Sequence, residues 1–255
     1  MKIALYIKSE LEDEDLSTYL ISKISEHGFD FDQDNPDVVI FVGGDGTLLR
    51  AVHAYIDNIE NIMFLGIHQG KLGFYTGYTI EEIDEALSDL ANDDYYLSTS
   101  HLLEASNNNN TVYAVNEVRL ENPFHTFISN VYVDDELLET FRGNGLVISS
   151  RNGSSAYNKS LGGAIVAPEL EVMQLTEIAP LNNRVYRSLS SPIILPQNSE
   201  VRLEGEFADS VLGYDHLNEK SGGNKVVVNI SDKVLNIVYK NNHSYIKQLK
   251  EAFVD

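Results

Sequence analysis

The chain has 255 residues, 43% of them hydrophobic, no cysteine, and a formal net charge of −21. That length supports a sizeable core in one large domain or two modest ones. The missing cysteines exclude disulfides and thiolate metal sites, and the charge argues against nucleic-acid and anionic-membrane partners. No apolar run approaches the roughly 18 residues of a membrane span, and the run at Met1–Lys8 is too short for a signal peptide. A soluble, cytoplasmic protein is expected. An acidic body sits awkwardly with anionic substrates, yet Arg142, Arg151, Lys159, Arg184 and Arg187 gather in one glycine-rich stretch, which allows a local positive site.

In chain order, residues 3–8 read as a first strand. Leu16, Leu20, Ile21 and Ile24 recur at helical spacing between Asp13 and His27, with Gly28 as a C-cap. Val38–Val42 is a β-branched apolar run, the mark of a fully buried strand. It meets Gly43-Gly44-Asp45-Gly46-Thr47, after which Leu48, Leu49, Val52 and Tyr55 recur at helical spacing. A second buried strand, Ile62–Ile67, ends in the glycine-rich loop His68–Tyr75, and a helix follows from Ile80 to Ala91. Strands alternating with helices imply a doubly wound parallel sheet, so residues 1–95 are expected to form an N-terminal α/β nucleotide-binding domain.

From Tyr95 the period changes to two. Leu97–Leu103, Thr111–Leu120, Ile128–Val133, Glu136–Phe141, Gly145–Ser149, Glu200–Phe207, Lys225–Ile230 and Val234–Lys240 read as strands. The first two join through Asn107–Asn110 and the last two through Ser231-Asp232-Lys233. Residues 96–240 are therefore expected to be a C-terminal β-rich domain. The tail, residues 241–255, carries Ile246, Leu249 and Phe253 at helical spacing and is expected to pack back on the first domain.

Glycines after a buried strand let backbone N–H groups approach a phosphate, and a helix N-terminus adds a favourable dipole. Asp45 is the odd member, since a phosphate cradle has no use for a central anion. It either caps the helix or takes a proton from an attacking hydroxyl beside the phosphate. Asn116-Glu117 either binds a sugar diol, with carboxylate and amide meeting hydroxyls, or is a solvated strand pair. The small and hydroxylic residues from Gly153 to Gly163 suit a flat polar ligand. Tyr157 among them either stacks on a base or stays in the core. The polar segments Gln174–Ile178 and Asn182–Arg187 read as loops of the same region.

Taken together, GGDGT at 43–47, GxLGF at 70–74, NE at 116–117, RGNGL at 142–146, NGSSAYNKSLGG at 152–163, QLTEI at 174–178 and YDH at 214–216 cover nearly the whole chain. In this order and spacing the chain resembles the NAD kinases, particularly the compact bacterial kind. The resemblance implies transfer of the ATP γ-phosphoryl group to the 2′-hydroxyl of the adenosine ribose of NAD, giving NADP. It implies NAD and ATP as substrates, a divalent cation (magnesium) travelling with ATP, and no metal ligand set of the chain's own. Asp45 would accept the proton and Gly46 would line the same site. Phe74 would pack near adenine, Asn116 and Glu117 would hold ribose hydroxyls or adenine, and His216 would lie near the new phosphate. Asn152, Ser155, Ala156, Tyr157, Asn158, Lys159 and Ser160 would form the dinucleotide pocket, with the active site in the cleft between domains. A homotetramer is implied, with Arg142 and Asn144 supplied by a neighbouring subunit. Asn144 stands where the family usually has aspartate, and Arg151 where it usually has proline. Arg151 either reaches a phosphate or is exposed. The alternatives are another GGDGT-superfamily kinase, acting on a lipid or small molecule, and a dinucleotide-binding regulator with weakened catalysis.

Overall fold

The computed structural model describes residues 1–11, 14–68, 73–107 and 110–254. The chain divides into two compact units, residues 1–99 with 234–255, and residues 100–233. Among the described residues no helix is long and apolar enough to cross a membrane.

The first unit opens with β1 (Lys2–Ile7), α1 (Glu14–Glu26), β2 (Asp30–Phe31), β3 (Val38–Val42), α2 (Asp45–Ala54), β4 (Met63–His68), β5 (Tyr78–Thr79) and α3 (Ile83–Ala91). The ladders β2–β1, β1–β3 and β3–β4 are all parallel. The chain leaves β1 for the edge strand β2, then returns to the other side of β1 to form β3. That reversal of direction is where open α/β sheets place their ligand crevices, at the strands' carboxyl ends. Every residue of β3 is buried, as in a strand covered on both faces. Leu20 and Ile24 of α1 join Ile83, Ala86, Leu87 and Leu90 of α3 in the same core, a helical spacing that turns one stripe of each helix inward.

The second unit carries β6 (Tyr96–Asn107), which starts in the first, then β7 (Thr111–Ala114), β8 (Glu117–Glu121), β9 (Phe127–Val133), β10 (Glu136–Gly143) and β11 (Gly145–Ser150). A one-turn helix, α4 (Tyr157–Ser160), precedes β12 (Val172–Ile178), β13 (Ile193–Pro196), β14 (Val201–Glu204), β15 (Val211–Tyr214) and β16 (Leu217–Lys220). The last strand, β17 (Lys225–Tyr239), ends in the first unit. One antiparallel sheet has the order β13–β12–β11–β8–β15–β16. In the other ladder, β10 pairs with β9, β9 with β14, and β14 with the opening half of β17. Leu120, Leu146, Ile148 and Leu175 from the first set meet Val131, Phe141, Leu203 and Val226 from the second in one core, where Phe127 stacks on Phe207 at 5.5 Å.

Four sequence expectations change. Lys225–Lys240 is not a hairpin but the single strand β17, and residues 234–240 belong to the first unit. Thr111–Leu120 is not one strand: it breaks at Val115-Asn116 into β7 and β8. Gln174–Ile178 is not loop but most of β12, where Gln174 and Thr176 are buried. In the tail helix α5 (Tyr245–Phe253), Ile246 is exposed and Gln248 is the buried residue. The turn at Asn107–Asn110 and the loop His68–Tyr75 fall partly outside the described residues.

Candidate active site

In the first unit the glycine turn puts Gly44, not Asp45, at the N-cap of α2, with no side-chain cap. Gly43 has a φ of +151°, and a Cβ there would meet Thr47 Oγ1 at 2.2 Å, so the turn requires glycine. Asp45 is the first helical residue and half-buried. Its Oδ1 accepts the Tyr75 N–H at 3.1 Å. The helix-cap alternative is thereby removed, because the carboxylate looks to the 74–75 backbone rather than to its own helix. Burial pushes the Asp45 carboxyl above its usual value, against the Phe74 and Tyr75 N–H groups that favour the anion.

The 73–75 segment is itself held. The Phe74 carbonyl accepts from Tyr239 Oη at 2.9 Å and from Gln248 Nε2 at 2.8 Å, and Gln248 Nε2 also reaches the Gly73 carbonyl at 3.2 Å. The Phe74 ring lies 5.7 Å from that of Phe253. Burial, with the Asp45 charge adding to it, raises the Tyr239 phenol well above its usual value, so Tyr239 remains a neutral donor. Tyr239 and Gln248 carried no sequence signal, since one ends an apolar strand and the other sits in a polar helix. Gly46 is exposed, and its carbonyl accepts from Arg50 Nη1 at 3.4 Å.

In the second unit the break between β7 and β8 presents Asn116 and Glu117, both buried. They are not the solvated strand pair of the sequence alternative. Glu117 Oε1 lies 3.6 Å from Arg119 Nη1, while Glu117 Oε2 is buried with no hydrogen-bond partner. A buried acceptor without a donor is the position a ligand hydroxyl or amine would fill. Burial first, then the Asp215 carboxylate, push the Glu117 carboxyl up to about 7, with Arg119 opposing.

The glycine-rich stretch folds against this break. Gly153 approaches so closely that a Cβ would stand 2.0 Å from the Asn116 carbonyl oxygen. Asn152 Nδ2 donates to Ser100 Oγ at 2.8 Å, and Ser155 Oγ to the Asn152 carbonyl at 3.4 Å. Ala156 is half-buried, while Tyr157, Lys159 and Ser160 are exposed. Tyr157 is thus outside the core, and its phenol is raised by partial burial, then by Glu121 and Glu117, with Arg119 opposing. Asn158 is fully buried, accepting from Thr176 Oγ1 at 2.6 Å. Its Oδ1 is thus tied to β12, while its buried Nδ2 has no hydrogen-bond partner. Gln174 exchanges two hydrogen bonds with the Ala164 backbone at 2.8 and 3.0 Å.

The remaining expected residues lie elsewhere in this unit. Arg142 is half-buried, its guanidinium 4.6 Å above the Tyr186 ring. The Asn144 side chain is exposed, while its backbone N–H donates to Ile178 at 2.9 Å. His216 is exposed at the β15–β16 turn. Arg151 fits neither sequence alternative. It is buried, pairs with Glu171 Oε1 at 2.8 Å, and donates to the Pro168 carbonyl.

A parallel sheet with a glycine turn at a strand's carboxyl end places the first unit among α/β nucleotide-handling folds. Residues 5–95 match the ATP-NAD kinase N-terminal domain, and residues 110–238 the ATP-NAD kinase C-terminal domain. The chain is 40% identical to an NAD kinase of Levilactobacillus brevis, over 85% of this chain and 84% of that one. It is 36% identical to an NAD kinase of Streptococcus thermophilus, over 100% of this chain and 94% of that one. The fold matches yeast NADH kinase complexed with NADH at a TM-score of 0.86 and 21% identity, covering 100% of this chain and 88% of that one. It matches an NAD kinase from Archaeoglobus fulgidus in complex with ATP at 0.78 and 18% identity, covering 98% and 99%. The chain belongs to the NAD kinase family. Its activity is ATP-dependent phosphorylation of NAD, which sets aside the lipid-kinase and regulator alternatives.

Proposed function

We propose that Asp45 is the group that accepts the proton of the 2′-hydroxyl of the adenosine ribose as the ATP γ-phosphoryl group is transferred to it. The observation that carries this is the carboxylate's setting: first residue of α2, turned off its own helix and fixed by the Tyr75 N–H, with its affinity for protons raised by burial. A base whose pKa is raised is the better proton acceptor. Phosphoryl transfer otherwise asks mainly for positioning and charge stabilisation. In this reading Asn116 and Glu117 take ribose hydroxyls or adenine, the unpartnered Glu117 Oε2 supporting the assignment. Phe74, Asn152, Ser155, Ala156, Tyr157, Asn158, Lys159, Ser160 and His216 line the nucleotide sites, the unpartnered Asn158 Nδ2 supporting its place among them.

Among the described residues no group of three or more His, Asp or Glu converges to hold a metal ion. The magnesium of this reading would travel with the ATP phosphates, leaving Asp45 free to act on the proton. There it would neutralise charge on the transferring group. A homotetramer, with Arg142 and Asn144 completing a neighbour's site, and a cytoplasmic location belong to the same proposal.

The test is Asp45→Asn, which keeps shape and removes the base. Turnover with NAD and ATP is expected to fall about 10²–10⁴-fold, with folding and calorimetric NAD affinity retained. Intact turnover would remove Asp45 from the chemistry.

A further inference from the structure

Among the residues of the Tyr214-Asp215-His216 triplet the sequence points to His216 and assigns Asp215 no role. In the structure it is buried, 6% exposed, at the two-residue turn between β15 and β16, in a left-handed conformation with φ +49°. Both of its carboxylate oxygens point to the break between β7 and β8. Oδ2 accepts the Val115 N–H at 2.8 Å and Oδ1 the Asn116 N–H at 2.7 Å. Its own N–H donates to the Glu117 carbonyl at 3.1 Å, and its carbonyl accepts from Arg119 Nη1 at 3.3 Å. The other side of the break is closed by Ser150, whose Oγ donates to the Val115 carbonyl at 2.5 Å and whose N–H donates to the Asn116 carbonyl at 2.9 Å.

These bonds explain why the strand breaks where it does. Two consecutive N–H groups turned to one carboxylate have left the ladder of a regular strand, in which successive N–H groups point to opposite sides. The bonds are charge-assisted and short, hence strong and directional. Placing them on both sides of one peptide fixes the direction in which the Asn116 and Glu117 side chains leave the backbone. We infer that Asp215 is a positioning residue for the dinucleotide, presenting Asn116 and Glu117 to the ribose through the backbone N–H groups of Val115 and Asn116. This rests on the proposed role of Asn116 and Glu117 as substrate contacts. Asp215 also stands close enough to Glu117 to disfavour its charge, so it acts on the pair through both geometry and field.

The test is a double-mutant cycle in the full-length enzyme, with Asp215→Asn and Asn116→Ala and with Michaelis constants read for NAD and ATP separately. An asparagine can accept only one of the two N–H groups and turns an N–H toward the other. Asp215→Asn is expected to raise the KM for NAD roughly ten-fold and leave that for ATP unchanged. In the double variant the two losses should combine to clearly less than their product, because Asp215 acts partly through Asn116, with Glu117 carrying the remainder. A residue that only supports folding would lower the active fraction without separating the two constants. That outcome, or full additivity, overturns the inference. If Asn116→Ala leaves the KM for NAD unchanged, the substrate reading of that pair falls and the inference falls with it. If Asn116→Ala raises it and Asp215→Asn does not, the inference alone falls. Should Asp215→Asn give no folded protein, Asp215→Glu enters the same cycle under the same criteria, keeping both acceptors one methylene further out.

Discussion

Glu117 shows how a single side chain couples site and stability. Its carboxyl titrates at about 7 in the fold against 4.5 as the ordinary value, because burial and Asp215 both disfavour the anion. The folded state therefore holds this proton more tightly than the unfolded chain does. Its stabilising contribution is therefore complete below pH 4.5 and is lost as pH rises through 7. Glu117→Gln keeps the shape and removes the charge. It is expected to match the parent in urea unfolding at about pH 4.5 and to exceed it by about 2–3 kcal/mol at pH 8, while binding NAD less well. Equal stabilities at pH 8 would mean that the buried carboxylate is better satisfied than Arg119 alone makes it. The candidate residues, Asp45 in the first unit and the Asn116-Glu117 pair in the second, were legible in the sequence because their motifs are local. Their partners were not. Asp215 is far along the chain from Asn116, and nothing in a Tyr-Asp-His triplet says that its carboxylate will take two backbone N–H groups.

At the scale of elements, legibility followed burial. The β3–α2 unit was readable because a fully buried parallel strand must be apolar throughout and the helix after it apolar at every third or fourth position. β17 was not, because its inward phase slips: Val226 and Val228 are buried, then Ser231, Leu235 and Ile237. With Ser231-Asp232-Lys233 at the slip, the pattern imitates a hairpin turn. In fact Ser231 is tied inside the strand, its carbonyl meeting His101 Nδ1 at 2.9 Å and its Oγ taking the Lys233 N–H at 3.0 Å. β12 departs from its sequence pattern for a related reason. Gln174 and Thr176 look like loop residues but are buried polar groups satisfied by the 158–164 segment. The tail helix α5 reverses the usual rule, burying a glutamine while Ile246 stays exposed. That glutamine supports the segment whose N–H groups hold Asp45. Gln248→Ala removes two donors from the Gly73 and Phe74 carbonyls. It is expected to cost about 1–2 kcal/mol of stability and to lower kcat several-fold, with the KM for NAD unchanged. Thermal unfolding and steady-state kinetics on one preparation check this. Unaltered kcat would mean that Tyr239 Oη alone fixes the Phe74 carbonyl.

For the whole molecule, charge and exposed apolar surface pull in different directions. A net charge of −21 on every chain opposes association and keeps chains apart at low salt. Yet the second unit leaves large apolar side chains in water: Phe124 is 88% exposed, Val185 78%, Leu137 55% and Ile128 47%. Contiguous apolar surface marks places that are covered in use, and the proposed tetramer would cover the surface around Ile128. Ile128 stands directly across the ladder from Arg142, the residue proposed to complete a neighbouring subunit's site. Covering this surface by a second copy would thus bring the arginine with it. The expected outcome is a particle of four times the 28.5 kDa chain by light scattering in moderate salt, where charge repulsion is screened over about 8–10 Å. Lowering the salt or diluting the enzyme should shift it toward smaller species. If Arg142 completes a neighbour's site, specific activity should fall together with the measured mass, and Ile128→Lys should lower both at a fixed concentration by placing a buried charge in the interface. A monomer with full specific activity would refute shared sites. An oligomer whose activity is indifferent to dissociation would keep the assembly and remove Arg142 from the chemistry.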